Sequence, residues 1–211
     1  MKKFFPLIFV CAVSLLLVGC GKQKASETCP IGSGSVACGT TSGIVDHSDF
    51  TGTLNSVLIA LKNEDFATLA TFVGSQGIRF SPYGHINTGT DVILDKQIIE
   101  NALTISRSYV WGTTDGKGDP IDLGIGQYFE KFVNDADYAH APTVLYNTSI
   151  QRGNTINNIA QVYQGKSRVE YYFSGFDAQY EGMDWKSLTL VFEHVGGQWY
   201  IIGVIHGSRT I

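Results

Sequence analysis

Apolar positions are spaced in two ways along this chain. Up to about residue 132 they fall mostly at helical spacing, and from residue 143 onward they alternate. Phe50, Leu54, Val57, Leu58 and Leu61 lie at i, i+4, i+7, i+8 and i+11, one face of a helix, with Asp46 or Ser48 as its N-cap. Phe66, Leu69, Ala70 and Val73 predict a second short helix, stopped at Gly74. Gly77-Ile-Arg-Phe-Ser-Pro-Tyr83 reads as a strand ended by Pro82, and Thr90 as the cap of a third helix that turns Val92, Ile93, Ile99 and Leu103 inward. Tyr109-Val-Trp-Gly112 is a short strand running into the glycine-rich turn Asp115-Gly-Lys-Gly-Asp-Pro120, after which Asp122 caps a helix burying Ile125, Tyr128, Phe129 and Phe132. Strands are predicted at residues 143–150, 158–163, 168–173, 187–194 and 199–206, divided by turn residues such as Gln164-Gly-Lys166 and Gly196-Gly197. Helices first and an antiparallel meander last is the α+β pattern.

The last strand carries the most information about shape. Trp199, Ile201 and Ile205 alternate with Tyr200, Ile202 and Val204, so both its faces are apolar. Such a strand is central and covered twice. One cover is the helical layer; the other is a curled part of the sheet, a partner subunit or a ligand.

The first twenty residues follow a different logic. Lys2 and Lys3 precede an apolar run over residues 4–18, broken by Pro6 and Ser14 and closed by Leu17-Val-Gly-Cys20. That run is short for a membrane span and has the length of a signal-peptide core. Its ending resembles the bacterial lipobox, which implies cleavage before Cys20 and lipidation of that cysteine. The expected organisation is a leader at 1–19, a flexible Gly/Ser/Thr/Lys tether at 20–45 and one α+β domain at 46–211. Two or more acyl chains anchor stably, so the chain is expected to be exported and held at a cell membrane by lipid, the outer membrane where the cell has one. Cys11 leaves with the leader and Cys20 takes lipid, which leaves Cys29 and Cys38 to pair as a disulfide in an oxidising compartment.

Composition narrows the partners. With 15 Lys plus Arg against 19 Asp plus Glu, the net charge of −4 excludes a nucleic-acid binder driven by bulk charge. Losing Lys2 and Lys3 with the leader takes that charge to −6, so electrostatics will not press the domain onto an anionic leaflet. The 24 Gly, 12 Phe and 10 Tyr suit a β-rich globule with many turns.

The element order resembles the nuclear transport factor 2-like (SnoaL-like) cone, two helices, a strand pair, another helix and a long curved antiparallel sheet. Ala60-Leu-Lys-Asn-Glu-Asp-Phe-Ala-Thr-Leu-Ala70 looks like the first two helices of such domains. Gly77-Ile-Arg-Phe-Ser-Pro-Tyr83, Trp111-Gly-Thr-Thr-Asp-Gly116 and Glu181-Gly-Met-Asp-Trp185 are similar to stretches of a group of uncharacterised bacterial lipoproteins. The resemblance implies a fold and says little of activity, because such cones host enzymes, binders and dimerisation modules.

The residues offer several candidate chemistries. His194 and His206 on neighbouring strands, with Glu193 or Asp184, are one metal candidate, and Asp115 to Asp119 with Asp122 a faint calcium loop. Strand-end histidines and a glycine turn account for both more simply, so no metal and no cofactor are expected. The resemblance implies that an enzyme would use an acid deep in the pocket with tyrosine partners, and Glu170, Tyr171, Tyr172, Asp177, Tyr180, Asp184 and Trp185 supply such groups. No nucleophile elbow, phosphate loop or dinucleotide fingerprint is present in the sequence. The preferred reading is a non-catalytic module for a small molecule or an envelope protein, its rim formed by Trp111, Tyr171, Asp184, Trp185 and His206. Homodimerisation through the open sheet face is the structural alternative.

Overall fold

The computed structural model describes residues 49–152 and 155–210. Helix α1 (Phe50–Lys62) is capped by Asp49, whose carboxylate accepts from the backbone N–H groups of Thr51 and Gly52 at 3.2 and 2.8 Å. Asp46 and Ser48, the caps the sequence offered, lie outside the described residues. Helix α2 (Phe66–Thr71) is capped in the same way by Asp65, and the two helices bury Leu54, Val57, Leu61, Phe66 and Leu69 against the sheet.

That sheet has six strands in the order β2-β1-β8-β7-β6-β5. They are β1 (Ile78–Ser81), β2 (Val92–Leu94), β5 (Thr143–Tyr146), β6 (Ser167–Phe173), β7 (Lys186–Val195) and β8 (Gln198–Ser208). All neighbours run antiparallel except β1 and β8, which are parallel with Phe80 opposite Val204. Strands β3 (Ser108–Thr113) and β4 (Pro120–Gly124) form a separate hairpin. Gly196 and Gly197, at φ +60° and +81°, make the tight turn between β7 and β8.

Three elements differ from those the sequence pattern predicts. Val92, Ile93 and Leu94 are strand β2 rather than the start of a helix; Asp95, not Thr90, caps α3 (Lys96–Glu100), and Ile93 and Leu103 are exposed. Val92 and Ile93 are β-branched, and beside β1 the triplet gains a ladder of hydrogen bonds that the short helix could not offer. Asp122 lies inside β4 opposite Val110, and α4 (Ile125–Tyr128) begins after it, with the Gln127 side chain accepting from the N–H of Gly124 at 3.0 Å. The segment read as a strand at 158–163 is instead helix α5 (Ile159–Val162).

Strand β8 shows why both its faces are apolar. Its pairing with β7 slips between Val191 and Phe192: Val191 lies opposite Gly203 but Phe192 opposite Ile201, leaving Ile202 as a bulge. The bulge resets the alternation, so Ile201 and Val204, not Ile201 and Ile205, face the main core with Leu188, Leu190 and Phe192. Ile205 turns to the opposite face, where Ile86, Ile159, Tyr163 and Val191 pack with it in a second, smaller cluster. The second cover is therefore the chain itself. Asn158 fastens it, accepting from the N–H of Ile86 at 2.7 Å and donating to the Ile86 carbonyl at 3.0 Å.

The main core is rich in rings and closely packed. Trp111 stacks on Tyr128 at 3.8 Å, and Phe80 meets Trp111, Tyr128 and Phe129 at 5.6 to 5.9 Å. The Trp111 indole N–H donates to the Leu123 carbonyl at 2.8 Å, so its polar handle is satisfied inside.

Candidate functional site

Away from the helices, the sheet presents Glu170 and Tyr172 of β6, Ser187 and Thr189 of β7, and Gly203, Ile205 and Gly207 of β8. This follows from the register, which sets Glu170 opposite Thr189, Tyr172 opposite Ser187, and Thr189 opposite Ile205. Two neighbouring features lie on this side, both bounded in part by Gly84 and Thr155.

The first is filled by an arginine. Arg152 Nη1 donates to Glu170 Oε1 at 2.7 Å, with the two side chains only 8% and 2% exposed. The guanidinium lies over the rings of Tyr172 and Trp185, 3.9 and 4.7 Å from their centroids. Trp185 can approach the sheet because Gly207 has no side chain; a Cβ there would stand 3.3 Å from the indole and 2.5 Å from Ser187 Oγ. Arg152 Nε and Nη2 and Glu170 Oε2 are buried without protein partners. They border a space of about 20 Å³, room for about one water.

The second is an open cleft of about 510 Å³ between residues 82–91, which follow β1, and the β3–β4 turn at residues 112–118. Asp91 is half-buried in its wall and accepts from the Ser81 hydroxyl and from the N–H of Asn87, the latter at 3.1 Å. Burial raises the Asp91 carboxyl above the usual carboxylate range, outweighing those hydrogen bonds and the nearby Arg79 and His85. His85, Asn87, Thr113, Thr114 and Asp115 add polar groups, and Tyr83 Oη accepts from the N–H of Asp115 at 3.3 Å. Among the described residues no lysine or arginine lines the cleft.

A third cluster lies on the helical side. Asp135 Oδ2 accepts from Lys186 Nζ at 2.9 Å and faces His206 Nε2 at 3.2 Å, while Tyr138 Oη donates to Asp135 Oδ1 at 2.8 Å. His206 Nδ1 sits 2.9 Å from the Pro82 carbonyl oxygen, so the imidazole spans two acceptors. Burial opposes ionisation of Asp135, yet the hydrogen bond and charge of His206, with Lys186 and Tyr138, outweigh it and hold the carboxyl at about 2.

The rim expected from sequence is distributed over all these places. Trp111 and Tyr171 are core residues on the helical face, and burial pushes the Tyr171 hydroxyl well up. Asp184 organises the turn before β7, accepting from the N–H groups of Phe176 and Asp177 at 2.9 Å each. Trp185 belongs to the arginine-filled pocket, whereas the His206 side chain is on the other face of the sheet with Asp135 and Phe132. Cys20, Cys29 and Cys38 lie outside the described residues. His194 pairs with Trp199 beside the turn, while His206 lies opposite Leu188, six residues away along β7. At about 3.4 Å per residue this separates the two histidines by about 20 Å, so they do not meet. Among the described residues no group of three or more His, Cys, Asp or Glu is placed to hold a metal ion.

Sequence reasoning singled out neither Arg152 nor Asp91 nor Asp135. Arg152 sits in a stretch without periodicity, and Asp91 falls at the start of the segment whose apolar spacing suggests a helix. Glu170 was visible, but its side of the strand was open until the register was known.

No protein-family model matches the chain, and no curated protein does. Helices packed on one face of a large, mainly antiparallel sheet define the class of protein as α+β, with a layout consistent with the nuclear transport factor 2-like cone. Solved structures similar to it include two at 12% identity. One is a DUF4783 family protein from Bacteroides ovatus, matched over 74% of this chain and 94% of that one at a TM-score of 0.33. The other is a designed nuclear transport factor 2-like protein, matched over 74% and 95% at a TM-score of 0.29. Neither speaks to what this chain binds.

Proposed function

We propose that this chain is a lipid-anchored cell-envelope protein whose domain binds a small polar molecule without transforming it. The observation that supports binding is the 510 Å³ cleft between residues 82–91 and the β3–β4 turn. Its carboxylates, threonine hydroxyls and turn backbone, with no lysine or arginine among the described lining residues, suit a ligand carrying hydroxyl or amino groups. The ring-rich core is already occupied by its own side chains, so Trp111 and Tyr171, expected from sequence in the rim, act as packing. The anchor rests on Leu17-Val-Gly-Cys20, and a Cys29–Cys38 disulfide would close a small loop in the tether.

Native mass spectrometry of the detergent-solubilised full chain, purified from its host, tests the cleft. A co-purifying small polar molecule that is lost in Thr113→Trp, with the melting temperature unchanged, is the expected result. Equal retention by the variant, or no bound molecule under any host growth condition, overturns the cleft as the binding site. Cys20→Ser should move the chain from the membrane to the soluble fraction and abolish incorporation of labelled fatty acid.

The alternative is acid–base catalysis in the same cleft, and it would fall on Asp91. Burial raises that carboxyl, with His85 in the same cleft. Conversion of the bound molecule by wild type and not by Asp91→Asn would establish that reading.

A further inference from the structure

We propose that Glu170, Tyr172 and Trp185 form a recognition site for an organic cation, a guanidinium or substituted ammonium group, and that Arg152 is the chain's own occupant of it. Two rings and a carboxylate converging on one point is the arrangement that recognises such cations, through the ring faces and one charge-assisted hydrogen bond. Here the rings lie 3.9 and 4.7 Å from the guanidinium carbon, and the carboxylate 2.7 Å from Nη1.

The site is built from rigid parts. Glu170 and Tyr172 project from one face of β6, and Trp185 is seated on Gly207 of β8, the position where a side chain would displace it. Arg152, by contrast, comes from a stretch outside the sheet and makes an incomplete contact. It reaches one carboxylate oxygen with one nitrogen, and Glu170 Oε2, Arg152 Nε and Arg152 Nη2 stay buried without protein partners. A pair selected only to stabilise the fold would satisfy those groups or be apolar. A guanidinium unconstrained by the main chain can turn in plane and engage both carboxylate oxygens, using the fork that Arg152 leaves half-used.

The fit is to a cation and not an anion, because Glu170 supplies the fixed charge on the sheet. In the intact chain Arg152 competes as a tethered ligand at an effective concentration in the millimolar range, so an external cation binds more weakly than to the vacated site. This reading stands independently of whatever occupies the cleft beyond Gly84.

The test is calorimetric titration of the full chain and its variants with methylguanidinium and tetramethylammonium at millimolar concentrations. Arg152→Ala vacates the site and should bind methylguanidinium about tenfold or more tightly than wild type, with a matching rise in melting temperature. Glu170→Gln added to Arg152→Ala should abolish that binding. Trp185→Leu added instead should weaken tetramethylammonium most. If Arg152→Ala does not fold, Arg152→Lys keeps a charge while losing the fork and should be raised in melting temperature by methylguanidinium where wild type is not. A folded Arg152→Ala or Arg152→Lys that responds no more than wild type overturns the proposal and leaves a structural ion pair. So does a response that survives Glu170→Gln.

Discussion

Gly207 is where one missing side chain shapes the far face of the sheet. Trp185 lies across its backbone, and a Cβ would press on the indole at 3.3 Å. Ser187 can rotate away from the new methyl, but the indole must tilt, and with it one wall of the arginine pocket. Gly207→Ala is expected to destabilise the domain by about 1–2 kcal/mol, in the range for overpacking. Gly126→Ala is the control: no atom lies within 4 Å of its built Cβ, so it should be neutral or slightly stabilising. Urea titration followed by circular dichroism measures both. Glycines at 203 and 207 flanking Ile205 are readable in the sequence, but their use as seats for Tyr163 and Trp185 depends on partners 40 and 22 positions distant.

At the scale of elements, helix α5 and the residues before it act as a cover for β8. Their hold is the two-way hydrogen bond between the Asn158 amide and the main chain of Ile86. Ile159 and Tyr163 then close over Ile205 and Val191. Asn158→Ala removes both bonds and leaves two main-chain groups seeking partners, a loss of about 1–3 kcal/mol. Amide exchange in β8 around residues 202–205 should speed up while that of α1 stays slow. Uniform acceleration across the fold would mean that the cover and the core unfold as one unit. The short apolar stretch at 158–163 has two readings at this length, and packing on the bulged face of β8 selects the helical one. The strong helical face of α1 left no such choice.

For the whole molecule, Asp135 ties together the segment after α4, strand β7 and strand β8. Its carboxyl sits at about 2 in the fold against 3.8 in an unperturbed aspartate. A folded value below the unfolded one gives stability that is complete above 3.8 and disappears as pH falls towards 2, about 2 kcal/mol over that window. Asp135→Asn should remove this part of the acid sensitivity, so its unfolding free energy changes less between pH 4.5 and 2.5 than that of wild type in urea melts. Asp91 acts in the opposite sense: its folded value is raised, so its burial penalty is relieved as pH falls and its protonation favours the fold. The sequence by itself determined the α+β class, the helix α1, the strands β6 to β8 and the two-sided character of the last one, because local periodicity decides which face of each element must be buried. Register, the bulge at Ile202 and the pairing of Arg152 with Glu170 were decided only by tertiary structure, since each depends on residues far apart in the chain meeting across strands. For the same reason the rim read from sequence separates into core, turn, pocket and ion cluster once the strands are aligned. Local pattern marks which residues must be buried; register and the bulge decide the side of the strand on which each lies and what it touches there.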